Sequence, residues 1–299
     1  MSRFAAVLTA LALTLTCTTA FAAPPSGLRV VALWRAGDGT KQVLVAGVPS
    51  GELLQKRTAL AQNGLGVSSL AVYRANDADQ FIAVFEPVPA ANTGMLILSR
   101  TAENFYQAGG ELHKGGSRLV DVALSLDPKS AKKVRYSGYW RQGLGNHAQY
   151  LTPAESWSEY SAAAQKHFGN GLRLVSFSAI AVLDDVQNGT YKPLFSSVWS
   201  GGQGNGALWL VPPSNGPGYT AKLNQHLGAG LHSVAFAAYT LNGSAPVYTG
   251  AFGAHGSGGT EYSSPAITWN QFLTEHQKRV SQGYRLADIA VYKTFTKID

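Results

Sequence analysis

One short pattern recurs six times along this chain: a glycine, an apolar residue, usually an arginine, another apolar residue, then an alternating run. The copies begin at Gly27-Leu28-Arg29, Gly64-Leu65-Gly66, Gly116-Ser117-Arg118, Gly171-Leu172-Arg173, Gly230-Leu231-His232 and Gly283-Tyr284-Arg285. Successive anchor glycines are 37, 52, 55, 59 and 53 residues apart. Self-similarity at this period marks a repeat architecture, in which a unit covers its apolar face only by stacking on its neighbours.

The anchor glycine has a physical reason. Eleven residues before each copy after the first stands a large apolar residue, Leu53, Phe105, Tyr160, Tyr219 or Phe272, inside a helix-like segment. Thr152-Pro153-Ala154-Glu155 and Ser264-Pro265 read as helix starts. The glycine then occupies the left-handed position that ends a helix without a Cβ clash. A strand follows, with apolar side chains four, six and eight residues past the glycine, as in Val120/Val122/Leu124. Small or polar residues stand between them, so one face is expected to take the helix. Turn residues come next: Gly37-Asp38-Gly39, Asn76-Asp77, Asp127-Pro128, Asn188-Gly189 and Asn242-Gly243. A second strand then returns, reading aromatic, x, small, x, aromatic: Phe81–Phe85, Tyr136–Trp140, Phe195–Trp199 and Tyr248–Phe252, with Val43–Gly47 as a degenerate first copy.

The expected unit is a β-hairpin plus a helix, with Gly-rich linkers such as 201–206 and 253–259 between units. Five such units and a final lone strand, Tyr284 to Tyr292, account for residues 23–299 as a single α+β repeat domain. The lone strand needs a partner, either the preceding unit's sheet or the N-terminal hairpin near Leu28 to Trp34; stacking order favours the preceding sheet, an open array whose two ends stay apart.

Gly283-Tyr284-Arg285-Leu286-Ala287-Asp288-Ile289, preceded by Trp269-x-x-Phe272, resembles the bacterial tandem repeat domain family, as do Trp157-x-x-Tyr160 and the Tyr136–Trp140 and Phe195–Trp199 strands. In that family such repeats form the N-terminal part of polyglycine hydrolases, ahead of a serine β-lactamase-like domain. The resemblance implies a curved, half-barrel-like antiparallel sheet with helices on one face. The β-lactamase-like domain has no counterpart in residues 1–299, so hydrolase activity does not carry over with it.

Residues 1–22 read as a signal peptide. Arg3 precedes an apolar run, Phe4 to Leu15, too short to span a bilayer, and Ala20-Phe21-Ala22 fits a cleavage site. Cys17 lacks the small residue expected ahead of a lipidated cysteine. Removing this segment takes away the single cysteine and one positive charge of the net +7, leaving a chain without disulfides or thiolate chemistry. Export to the periplasm or outside is the expected address, with no stable membrane insertion. Only 14% of residues are charged, and the bases form no run, which speaks against nucleic acid.

No catalytic, metal or cofactor motif emerges, and none is assigned. Ser130-Ala131-Lys132-Lys133 matches the Ser-x-x-Lys nucleophile pattern but falls in a turn. His113, His167 and His226 sit at helix ends, where an imidazolium would favour the dipole; the other histidines, 147, 232, 255 and 276, are scattered. Asp77, Asp79, Asp184 and Asp185 read as turn carboxylates bonded to their own backbone. The Arg column (Arg29, Arg118, Arg173, Arg285) and Asp121 and Asp288 are expected to form ion pairs between repeats, or else a polar ring on the concave face. The candidate ligand site is the aromatic row Tyr136, Trp140, Phe195, Trp199, Tyr248 and Phe252. Pointing away from the helices these rings would form a platform for a sugar or extended peptide; pointing toward them they are core. The expected function is a non-catalytic binding module for a cell-envelope or extracellular polymer, peptide or glycan. The alternatives are a peptidase-like hydrolase and a structural or adhesion protein.

Overall fold

The computed structural model describes residues 27–37, 41–75, 77–88, 94–203, 206–241, 244–254 and 260–293. The expected leader with Cys17, the turn residues Asp38, Gly39, Asn76, Asn242 and Gly243, and His255 lie outside them.

Each repeat runs outer strand, helix, inner strand, middle strand, and folds into a three-stranded antiparallel sheet with the middle strand between the other two. In the first blade these are β2 (Val43–Pro49), α1 (Ser50–Gln62), β3 (Leu65–Ala75) and β4 (Ala78–Pro87). The second has β5 (Met95–Arg100), α2 (Ala102–Lys114), β6 (Arg118–Asp127) and β7 (Ser130–Arg141). The third has β8 (Gln149–Leu151), α3 (Trp157–Gly169), β9 (Arg173–Asp185) and β10 (Thr190–Ser200). The fourth has β11 (Leu208–Asn215), α4 (Gly216–Gly228), β12 (His232–Tyr239) and β13 (Val247–Gly253). The fifth begins with β14 (Glu261–Thr268), α5 (Trp269–Ser281) and β15 (Tyr284–Lys293), and β1 (Leu28–Ala36) completes it from the other end of the chain.

That last pairing corrects the open array. β1 lies between β14 and β15, with Leu28 opposite Lys293 and Ala36 opposite Tyr284. The two chain ends therefore close a ring, and the strands form five separate sheets in place of one curved sheet. β1 had the look of an inner strand because Gly27-Leu28-Arg29 imitates the anchor motif. Its Val30-Val31-Ala32-Leu33-Trp34 instead fits the middle-strand pattern, with the small residue in the centre.

The core follows the ring. The helix face of each blade packs on the opposite face of the next. Phe272, Trp34 and Ile289 of the fifth blade meet Ala71, Tyr73 and Ile82 of the first. Leu53, Leu70 and Phe85 of the first meet Ala123 and Tyr139 of the second. Tyr160, Phe177 and Phe195 of the third meet Ala235, Ala237 and Tyr239 of the fourth. The apolar face thus takes the helix, as the alternation predicts. The residue seven past each anchor glycine is small, Ala71, Ala123, Ser178, Ala237 or Ala290, which lets the inner strands converge. Every inner strand also carries a bulge at one repeat position, at Ser68, Val120, Val175, Val234 and Ala287. Bulges sharpen strand twist.

All five helices have 13 residues and end at the anchor glycine. Gly64, Gly116, Gly171, Gly230 and Gly283 have φ between +73° and +84°. Gly116 N–H donates to His113 O and Ser117 N–H to Leu112 O, the paired bonds of a Schellman cap. The starts differ from expectation. Ser156 caps α3 and Thr268 caps α5, each in a capping box with Glu159 or Gln271. Thr152 is buried instead, exchanging backbone and hydroxyl bonds with Ser197, and Pro265 lies in β14, an outer strand that tolerates proline.

Gly171→Ala should destabilise the protein by about 1 kcal/mol. A Cβ there meets nothing within 4 Å, so the cost is the left-handed backbone alone, readable by denaturant unfolding. Ring closure predicts that the amides of β1 and β15 exchange as one unit. Deleting residues 284–299 should raise exchange first in residues 28–36, and unchanged protection there would contradict the closure.

Candidate functional site

The six aromatic residues of the candidate ligand site are core. Tyr136, Trp140, Phe195, Trp199, Tyr248 and Phe252 are all buried. They face the helices: Phe105 packs on Tyr136 and Trp140, Trp157 and Tyr160 on Phe195, and Tyr219 on Tyr248 and Phe252. The small residue between them makes room for the helix ring. A Cβ on Gly138 would stand 2.9 Å from Phe105 Cζ, and one on Gly250 2.8 Å from the Tyr219 hydroxyl.

An open funnel lies on the ring axis. It has a volume of about 350 Å³ and is formed by the C-terminal ends of all five inner strands. Eight residues past the anchor glycines, Val72, Leu124, Ala179, Ala238 and Val291 make an apolar floor. Next come Tyr73, Ser125, Ile180, Tyr239 and Tyr292, and then Arg74, Leu126, Ala181, Thr240 and Lys293 at the rim. Arg74 is held in place by donating to Asp77 O at 2.6 Å and Leu126 O at 3.5 Å, with the Asp79 carboxylate at 3.9 Å. Lys293 is exposed. Asp79 also accepts from the Ser125 hydroxyl of the next blade at 3.0 Å, so it is an inter-blade contact and no simple turn residue. Asp185 does behave as a turn carboxylate, accepting from Gln187 N–H at 2.8 Å, and bonds from Asn188 and that backbone hold its pKa low.

Below the floor, the same ring of five residues borders a second axial cavity of about 40 Å³. Of the residues five past the glycines, Ser69, Asp121, Ser176, Ala235 and Asp288, it is Asp121 and Asp288 that line it. Asp121 accepts from Leu70 N–H at 2.6 Å in one neighbouring blade and from the Ser176 hydroxyl in the other. Asp288 accepts from the Ser69 hydroxyl at 3.1 Å and from Phe236 N–H at 3.3 Å, again one partner on each side. Burial raises the pKa of both, and for Asp121 the nearby Asp288 charge adds to it. The two aspartates thus link neighbouring blades near the axis, through Ser69 and Phe236 for Asp288 and through Leu70 and Ser176 for Asp121, and neither is bonded to the Arg column. Arg118 donates to His147 O and Ser117 O, and Arg173 to Gly206 O and Leu172 O; these bonds fasten helix ends to linkers. Arg285 lies 3.6 Å from Glu86 of the first blade, and Arg29 donates to Leu28 O.

Elsewhere the expected chemistry dissolves into structure. Ser130 opens β7, its hydroxyl accepting from Lys132 N–H at 3.4 Å. His113, His167 and His226 have pKa values lowered chiefly by burial, which disfavours the imidazolium expected at these helix ends. Among the described residues no group of three His, Cys, Asp or Glu side chains could hold a metal ion, and no helix is long and apolar enough to cross a membrane.

The fold and site define a closed ring of five strand–helix repeats around an axial funnel. Residues 266–297, covering the end of β14, all of α5 and β15, match a family described as polyglycine hydrolase-like, structural repeat. That segment of the chain is thus similar to a repeat of that type. No curated protein matches the chain.

His276 ties pH to ring closure. Its Nδ1 accepts from Trp34 Nε1 of β1 at 3.2 Å, and burial lowers its pKa to about 4. A depressed histidine stabilises the fold above its unfolded value and loses that contribution as pH falls. Wild-type stability should therefore drop from about pH 6.5 toward the folded value of about 4, and His276→Gln should drop less. Equal acid slopes in urea titrations of the two proteins would contradict this. Asp121 and Asp288 act with the opposite sign, since their raised pKa gives stability at acid pH that is lost as pH rises.

Proposed function

We propose that this chain is an exported, non-catalytic binding module that takes one residue or one end of an extracellular or cell-envelope polymer into its axial funnel. The carrying observation is the funnel itself, to which every blade contributes the same three repeat positions. Its size suits a single side chain or sugar ring, and an apolar floor under a rim of polar groups is the usual plan of a small-ligand pocket. The reading that residues 1–22 are a cleaved leader, and hence that the protein works in the periplasm or outside, belongs to the same proposal.

The test is a pull-down of the mature protein against peptidoglycan, neutral soluble polysaccharides and Gly-rich peptides, repeated with Leu126→Trp, which narrows the funnel at its half-buried rim. Binding to one of these polymers, weakened at least ten-fold by Leu126→Trp while thermal unfolding stays cooperative, is the expected result. Binding of these polymers untouched by that substitution would remove the funnel from the proposal. Release of cleaved peptide from a Gly-rich substrate would instead favour a hydrolase, the reading suggested by the name of the matching repeat.

A further inference from the structure

The outer strands carry a feature that the funnel does not use. Opposite the last aromatic of each middle strand they place Val43, Met95, Tyr150, Trp209 and Tyr262 in blades one to five. In blades three and four this residue is an aromatic left largely in solvent, with Tyr150 53% and Trp209 56% exposed. Each is backed by a helix-end histidine, Tyr150 by His167 at 5.2 Å and Trp209 by His226 at 6.1 Å between ring centroids. Those histidines rest in turn on the buried rings of Trp199 and Phe252, at 5.6 and 4.9 Å. Each stack is rooted in the core and presents one open ring face outward. In the fifth blade the matching ring, Tyr262, is already covered by the chain's own Arg279, 3.2 Å from its centroid. Among the described residues no such cation covers Tyr150 or Trp209.

We infer that Tyr150 and Trp209 are stacking platforms for the pyranose rings of an acidic polysaccharide. The C–H bonds on one face of a pyranose are weakly positive and pack on the negative face of an aromatic ring. Charge selects among the polymers. β8, β11 and α4 contain no acidic residue, and α3 has its single acid, Glu159, in the first turn, away from His167. Lys166 and Lys222 stand close enough to His167 and His226 to lower their pKa, after the larger effect of burial. This surface repels a cation of the kind that covers Tyr262 and favours a carboxylate on the sugar. Two platforms on consecutive blades favour a long chain over a single sugar, because the second contact is intramolecular.

The wall site is separate from the funnel, so the two can fail independently. The probe is polygalacturonate, with dextran as the neutral glycan and poly-glutamate as the acidic peptide, followed by sedimentation and tryptophan fluorescence. Polygalacturonate should bind, more weakly at high salt, and dextran and poly-glutamate should bind at least ten-fold less well. Tyr150→Ala and Trp209→Ala should each weaken binding roughly five- to ten-fold, and Tyr150→Phe and Trp209→Phe should keep most of it. Both positions are exposed, so thermal unfolding should hardly move, and Leu126→Trp should leave this binding intact. Failure of the wild type to bind polygalacturonate, equal binding of poly-glutamate, or a double alanine variant as tight as wild type would each overturn the inference. Wild type that binds Gly-rich peptides but not polygalacturonate overturns this inference and leaves the funnel proposal standing; binding to no polymer at all removes both.

Discussion

Everything in this molecule depends on the antiparallel pairing of β1 with β15. Nine residue pairs, from Leu28–Lys293 to Ala36–Tyr284, convert a row of four complete sheets and one incomplete one into a ring. The energetic content lies as much in side chains as in the ladder. Trp34 of β1 is fully buried among Phe272, Trp269 and Leu286 of the fifth blade and Ala71, Tyr73 and Ile82 of the first. Arg35 pairs with Glu261 of β14 at 2.7 Å and donates to Ser233 O of the fourth blade. Glu261 also accepts from Ser233 N–H at 3.0 Å, and its side chain is 1% exposed. A buried charge needs such partners, so each pins the others in register. The same strand reaches the axis indirectly, because β15 carries Asp288 and Asp288 joins the fourth blade to the first.

Much of the repeat was legible in the residues. The anchor glycines needed a left-handed backbone, and five of them have it at the end of a helix. The large residue eleven positions earlier lies in a helix in every copy, and Leu53, Phe105, Tyr160 and Phe272 have no exposed surface, while Tyr219 is partly buried. The outer strands were hidden. They are short, carry proline at Pro212, Pro213 and Pro265, and shift register midway, as between Val211 and Ser214, so no clean alternation marks them. Ring closure was hidden for another reason: no local pattern distinguishes a middle strand borrowed from the far end of the chain from one that follows its own hairpin.

The site was the least legible part. A funnel lined by Val72, Leu124, Ala179, Ala238 and Val291 exists only because five equivalent positions meet on one axis, and conservative aliphatic residues draw no notice singly. Strand parity puts the buried aromatics in one row but does not say which side of the sheet a helix takes. Gly138 and Gly250 were the decisive signal, since a missing Cβ in the centre of a strand leaves space for a ring from above. The exposed rings Tyr150 and Trp209 stand in short outer strands without a clean alternation, so nothing local singles them out.

The composite fifth blade also imposes an order of events during synthesis. The first four sheets each draw their strands from one stretch of chain, so each can form soon after its middle strand is made. β1 emerges before all of them and has no partner until β14 and β15 have been made. Through the synthesis of four blades an apolar strand, Leu28 to Ala36, travels with both edges bare, a state that invites pairing with foreign chains. The contact that completes the ring also joins segments far apart in sequence, the kind of pairing whose loop-closure cost slows folding. Such a chain has reason to keep its first strand away from the others until the last repeat is complete.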